Sequence, residues 1–227
     1  YLDTVLDNLV KKSNSNQLAS DTCTTSSGRE NCVDFGAAVL NGGTSNGPGG
    51  SIISVAGVIT AAKNDIGASL VYDTIATTHS AYIANVNIAG ATANGRVNVS
   101  AIDSSKIQSV SLGIGGSSGQ FAGVGGMTIS SITNTVSAGI GDSRSTTDNS
   151  SITALNVSVT ASDNSSITGT AAVAAIAPSG GSAAGLALVY SNIANNVNAG
   201  VTGSKLRATG TVAVNASSNA SISTVAV

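Results

Sequence analysis

Charge is what this sequence has least of. Asp, Glu, Lys and Arg together make up 9% of its 227 residues, against roughly 25% in ordinary globular chains. The net charge is −2. Holding nucleic-acid phosphates takes a basic face, so that class of partner is excluded. Tryptophan is absent and aromatic residues amount to 3%, which argues against base stacking and against an aromatic platform for sugars. There are 2 prolines and 1 histidine. What remains is Gly, Ala, Val, Ser, Thr and Asn. Hydrophobic residues reach 41% and the mean hydropathy is positive, so the composition is that of a packed chain and not a disordered one.

Cysteine is nearly absent as well. Cys23 and Cys32 flank a polar loop containing Gly28, and a local disulfide closing that loop fits an oxidising compartment. Two free thiols are the alternative. A metal centre is not expected, because only His79 is available to complete a ligand set, and no other cofactor is expected either. No run is suited to crossing a membrane: the longest, residues 171–190, is interrupted by Pro178-Ser179-Gly180-Gly181-Ser182. Tyr1 in place of Met, and the alternation still running through Thr224–Val227, lead to the expectation of a piece of a longer or processed chain.

Residues 1–50 differ in kind from the rest. Leu2, Val5, Leu6 and Leu9 recur at helical spacing, with Asp3 in the first turn and Lys11 and Lys12 in the last, so residues 1–12 read as an amphipathic helix. The Cys loop, an apolar run over 35–40 and a Gly-rich connector over 41–50 follow. This part is expected to be a cap or an insertion.

From Ser51 onward the text alternates with period 2, and it repeats. Residues 75–83, 132–140 and 193–201 superimpose without gaps, each with an aliphatic residue followed six positions later by Ala and eight later by Ile or Val. Downstream, Val97, Val99, Ala101 and Ile107 recur as Val157, Val159, Ala161 and Ile167, and again as Val212, Val214, Ala216 and Ile222. A partial earlier copy begins at Ser51. Alternating strands bury one face, and long repeats with one internal order favour stacking. The expected fold is all-β, a right-handed parallel β-helix over 51–227 built from about three repeats of roughly 55–61 residues. Each repeat is expected to supply two or three coils around a narrow core of Val, Ile, Leu and Ala, with Ser, Thr and Asn outside. A β-sandwich or barrel is the alternative.

The run over residues 159–201, VTASDNSSITGTAAVAAIAPSGGSAAGLALVYSNIANNVNAGV, together with its counterpart over 66–114, resembles the repeats of large filamentous haemagglutinin-like exoproteins and autotransporter adhesin passengers. Each unit there reads Val-x-Val-x-Ala, a polar Asp/Ser/Asn patch, a Gly/Ala-rich strand and an Asn-rich strand ending in Ala-x-Ile or Ala-x-Val. The resemblance implies type V secretion through an outer-membrane pore, an extracellular place on the bacterial surface, and adhesion to a host or bacterial surface receptor, glycan or protein. It implies no catalytic residue. Residues 1–50 have no counterpart in it.

Candidates for chemistry are few. The acids are expected mostly in loops. Asp103 and Asp163 take equivalent places in successive repeats near Lys106; a polysaccharide-cleaving pair would need such clustering, and a solvated turn is the expected reading. Two Gly-x-Ser-x-Gly matches, at Gly43–Gly47 and Gly115–Gly119, lie in Gly/Ser loops without the strand–turn–helix context of a nucleophile elbow. Gly200–Lys205 lacks the spacing of a phosphate loop. His79 lies within a repeat strand and is expected to be a surface or satisfied residue. Six Asn-x-Ser sequons, at Asn98, Asn149, Asn156, Asn164, Asn215 and Asn219, match what this composition gives by chance. Thr77-Thr78, Thr133-x-Thr135 and Asn195-Asn196 do not hold Thr in the register an ice-binding array needs. No enzymatic function is expected; beside the adhesin, acting as binding surface or stalk, the alternatives are a polysaccharide-binding or polysaccharide-degrading β-helix and a structural spacer or matrix protein.

Overall fold

The computed structural model describes residues 32–43, 49–88, 95–141 and 150–227. The helix expected over 1–12 and Cys23 lie outside these, as do Asp142 and Asp148. Cys32 opens the first strand, and the proposed Cys23–Cys32 bridge falls outside what is described.

The described chain is all-β, and every strand pair in it is parallel. Partners are equivalent residues of successive repeats. Ile52 pairs with Ile107, Ile107 with Ile167, and Ile167 with Ile222, in steps of 55, 60 and 55 residues. Ile75, Ile132 and Ile193 follow in steps of 57 and 61. Each repeat therefore contributes one circuit of chain to the stack, not two or three as its length suggested. The strands within one repeat belong to different walls of the cross-section, so they have no partner among themselves.

That cross-section has two parts. The first is a body of three narrow sheets. One contains β3 (Thr78–Ile83), β7 (Thr135–Ile140) and β12 (Asn196–Val201). The second contains β4 (Asn87–Ile88), β8 (Ser151–Ala154) and β13 (Lys205–Ala208). The third contains β5 (Arg96–Asp103), β9 (Asn156–Asp163) and β14 (Val212–Ser218). Val99, Val136, Ile140, Ile152, Val157 and Val159 fill the space between them. Here the alternation reads as expected, with Val and Ala inward along β9 and Ser158 and Thr160 turned outward.

The second part is a thin blade. β2 (Ser51–Ile75) and β6 (Lys106–Ile132) are long strands that double back on themselves. Ser54 and Asp73 touch at 2.6 Å, although nineteen residues of extended strand would span about 60 Å. β2 reverses at a bulge between Ala62 and Asn64. In the third repeat the same path is split into β10 (Ser166–Ile176) and β11 (Ser182–Ile193), joined by a turn through Pro178 and Gly180. β15 (Ser221–Ala226) pairs with β10, and β1 (Cys32–Gly43) pairs with the returning half of β2, from Cys32–Asp65 to Gly43–Ile75. The sheet thus begins upstream of residue 51, within the segment that reads as separate in sequence.

The two layers of the blade lie close enough to dictate composition. A Cβ on Gly113 would come 2.6 Å from Val124 Cγ2 of the opposite layer, and one on Gly67 would come 2.5 Å from Thr60 Cγ2. Ser69, Ser109, Ser111, Thr128 and Ser130 fill the interior, with Ser109 and Ser130 bonded at 3.0 Å. Large apolar side chains are excluded from that slot and stand outside instead: Ile53 is 71% and Ile59 77% exposed. The interior of 51–75 is thus mixed rather than aliphatic as expected, with Ser54, Thr60, Asp65, Ser69 and Asp73 buried beside Ala56, Val58 and Val71, and the exterior carries isoleucines. Where blade meets body, Ile52, Ile75, Ile107, Ile132 and Ile167 close into a continuous column with Ile193 beside it.

Candidate functional site

Four aspartates expected near solvent are buried. Asp65 and Asp73 face the interior of the blade, and Asp103 and Asp163 lie at the end of β5 and β9, paired in register. The expectation of a solvated turn at Asp103 and Asp163 is therefore corrected: neither exposes any surface. The reason lies in the residues that follow each of them. In Asp103-Ser104-Ser105 the carboxylate folds back onto its own turn, accepting from Ser105 N at 3.2 Å and Ser105 Oγ at 3.0 Å, the Asx geometry such triplets adopt.

Asp103 is the centre of a larger seam. It accepts from Asn134 Nδ2 at 2.7 Å, Ser165 Oγ at 3.0 Å and Thr77 Oγ1 at 3.3 Å. Burial alone would raise its pKa; bonds from Ser105, Ser165 and Asn134 outweigh it and hold the carboxyl below its ordinary value. His79 Nε2 comes within 3.0 Å of the same carboxylate without an aligned hydrogen bond. A carboxylate offers about four lone-pair sites, and the five donors already named occupy them. Asp163 accepts from Ser218 Oγ at 2.9 Å and lies against Ser165 Oγ, whose single proton is shared between Asp163 and Asp103, so Ser165 links the carboxylates of two repeats.

Asparagines carry the seam from repeat to repeat. Thr77 N donates to Asn134 Oδ1 at 3.0 Å, and Asn134 N donates to Asn195 Oδ1 at 2.8 Å. Asn195 Nδ2 then donates to Ser165 Oγ at 2.9 Å. The same device recurs at corners: Asn64 Oδ1 accepts from Gln120 N at 3.1 Å, and Asn156 Oδ1 from Thr211 N at 2.9 Å. These side chains satisfy backbone groups that the corners leave unpaired by the sheets.

The seam's chemistry is structural. In a nucleophilic relay the imidazole stands between hydroxyl and carboxylate; here Asp103 stands between Ser105 and His79, and Ser105 is buried. Lys106 is exposed at the root of the blade while the aspartates lie within. Ser117, in the second Gly-x-Ser-x-Gly match, donates to Lys63 O at 2.6 Å and accepts from Gly119 N at 3.0 Å, which holds the blade tip. The Gly200–Lys205 stretch passes from β12 through a turn with Gly203 at φ +64° into β13, so no helix follows it. Among the described residues no group of three or more His, Cys, Asp or Glu is arranged to hold a metal.

Two surfaces escaped the sequence reading. The outgoing strands of the blade present an apolar outer face around Ile59 and Ile114, which pair side by side. The returning strands set Tyr72, Ile129 and Tyr190 in one row, with Thr74, Ser131 and Asn192 in the next toward the body. Tyr72 is 44% and Tyr190 62% exposed, and two strand spacings put them about 10 Å apart. The repeat alignment carried both signals; what it lacked was the parity that turns odd positions of 53–59 outward.

Comparison with protein-family models, with curated proteins and with solved structures finds no match.

Proposed function

We propose that this chain is a segment of a secreted bacterial surface adhesin, non-enzymatic, folded as a right-handed parallel β-solenoid that serves as stalk or binding surface outside the cell. Its partner is a host or bacterial surface receptor, glycan or protein, and an outer-membrane pore passes it in transit. The observation that carries this reading is the stacking of equivalent residues, Ile52 on Ile107 on Ile167 on Ile222. A stack of this kind gains about 4.8 Å for each repeat added, which suits a surface held away from a membrane. The resemblance to filamentous exoprotein repeats points the same way.

The test is binding of the purified chain to an immobilised panel of glycans, matrix proteins and cells, beside a version lacking residues 1–31. The deletion stops there because β1 belongs to the sheet. Saturable binding by both forms places the receptor site on the stacked repeats; binding lost with the deletion places it in residues 1–31. Failure of both to bind any cell or matrix surface leaves the spacer role alone.

A second reading, polysaccharide binding, is favoured by the Tyr72–Ile129–Tyr190 row and the hydroxyls and amide beside it. Sugar rings stack on exposed aromatic faces while neighbouring polar groups bond their hydroxyls. Affinity electrophoresis in gels containing soluble glycans checks it: Tyr190→Ala abolishes the retardation if the row is the site.

A further inference from the structure

We infer that the outgoing face of the blade is an interface between two copies of this chain. The face is built from residues 51–61 of β2, the first half of β6, β10 and β15. Its outward positions include Ile53, Val55, Ile59, Leu112 and Ile114, all exposed, with Ile53 at 71% and Ile59 at 77%. They are not scattered. Ile59 pairs with Ile114 and Ile114 with Ala174, while Val55 pairs with Val110 and Val110 with Thr170. The apolar positions therefore form adjoining rows on one sheet.

The size of the patch is what singles it out. Three strands by about nine residues, with β15 adding about four more, give on the order of 490 Å² before the relief of the side chains is counted. That lies within the range of the largest patch a monomer leaves exposed, where such patches are often functional, and it is more than half of the roughly 800 Å² per partner of a standard interface. The interior of the blade takes only small side chains and valines, Ala56, Val58, Val71, Ala122 and Val124 among its Ser, Thr and Gly, so Ile and Leu along the outgoing strands stand outside.

Charge decides the occupant. Between the row of Ile53 and the row of Ala61 the face carries no ionisable side chain; Lys106 stands at the root and Lys63 at the tip. Two such faces meet without like-charge repulsion, and twofold packing of the same patch closes on itself. Sheets stack at about 10 Å through interdigitated aliphatic side chains. A lipid surface would call for a collar of Lys and Arg around the apolar zone, which two lysines do not supply. The returning face is less suited, because Tyr72 and Tyr190 carry hydroxyls and Gly123 and Gly125 leave its middle shallow.

Sedimentation velocity of the full chain across micromolar concentrations tests this. The expected result is a species of twice the chain mass. Ile59→Lys combined with Ile114→Lys shifts it to monomer, with a dissociation constant raised at least about tenfold, while Leu188→Lys on the returning face leaves the mass unchanged. Circular dichroism confirms that each variant retains its β spectrum; should the double lysine variant lose it, Ile114→Thr takes its place. A chain that stays monomeric at every concentration overturns the proposal, and so does a dimer that survives the lysines. A monomer that dimerises only after deletion of residues 1–31 overturns it in favour of that segment as the cover. A monomer that floats with phosphatidylcholine vesicles overturns it in favour of lipid.

Discussion

Asn134 Nδ2 donates to Asp103 Oδ2 at 2.7 Å, with both side chains buried and 31 residues of chain between them. This one bond ties the corner of one repeat to the next repeat's preceding corner. It also sets what the seam tolerates. Asp103→Ala removes one acceptor and strands the donors of Thr77 Oγ1, Ser105 N and Ser105 Oγ, while Ser165 keeps Asp163 and Asn134 keeps Ser105 Oγ. A buried donor left unmet costs about 1–3 kcal/mol, more when the lost partner is charged, so the expected loss is on the order of 3 kcal/mol or greater. Urea unfolding followed by circular dichroism measures it. A loss below about 1 kcal/mol would mean that water replaces the carboxylate.

Asp73 predicts a pH dependence of opposite sign to that of Asp103. Burial in the blade is the larger effect on its carboxyl and the Ser54 bond the smaller, so its pKa rises from 3.8 to about 6. The folded state holds this proton more tightly than the unfolded state. Its contribution is therefore fully present below about pH 4 and is lost as pH rises through about 6. Asp103, held below its ordinary value, contributes stability above pH 4 that is lost on acidification. Asp73→Asn should flatten the decline between pH 4 and 6 and raise the melting temperature at pH 7.5. Thermal melts across that range decide; an unchanged slope refutes the assignment to Asp73.

Ile132 sits in the middle of the aliphatic column with no surface exposed. Ile132→Ala leaves a cavity walled by the repeats on either side, and the expected cost is about 2–5 kcal/mol. Ile102, on the outer face of β5 and 47% exposed, supplies the contrast: Ile102→Ala should cost about 1 kcal/mol or less. Equal losses at the two positions would contradict the column as a core.

Gly141 and Gly180 separate two causes of strain. Both have positive φ, at +84° and +89°. An added methyl at Gly141 would meet the Thr202 carbonyl oxygen of the next repeat, whereas nothing lies within 4 Å at Gly180. Gly180→Ala should cost about 1–2 kcal/mol, the backbone penalty alone. Gly141→Ala should cost clearly more, because the stacked repeat must also move. Denaturant midpoints of the two variants rank them.

Much of the architecture was legible before any coordinates. The alignment of Ile75 with Ile132 and Ile193, and of Val97 with Val157 and Val212, is the hydrogen-bonded register itself, since equivalent residues stack when a repeat stacks. The circuit length was not legible, because nothing in a 55-residue period says how many walls it forms. The blade was misread for a physical reason. Alternation fixes which residues share a face but not which face is buried, and a slot too narrow for isoleucine turns Ile53 and Ile59 outward while Ser54, Val58 and Thr60 point in. Asp103 and Asp163 read as solvated for a similar reason: beyond the serine of its own turn, each is bonded from other corners, Asp103 by Asn134 and Ser165 and Asp163 by Ser218, and only the fold brings these together.

The register has one more consequence. Each described strand bonds only to its equivalents in the preceding and following repeats, so the energy of any unit depends on its two neighbours and on nothing farther away. Duplicating or deleting one whole unit in the gene leaves every remaining junction of the same kind. Particle length can then change one strand spacing at a time, while the surface chemistry of each unit changes independently.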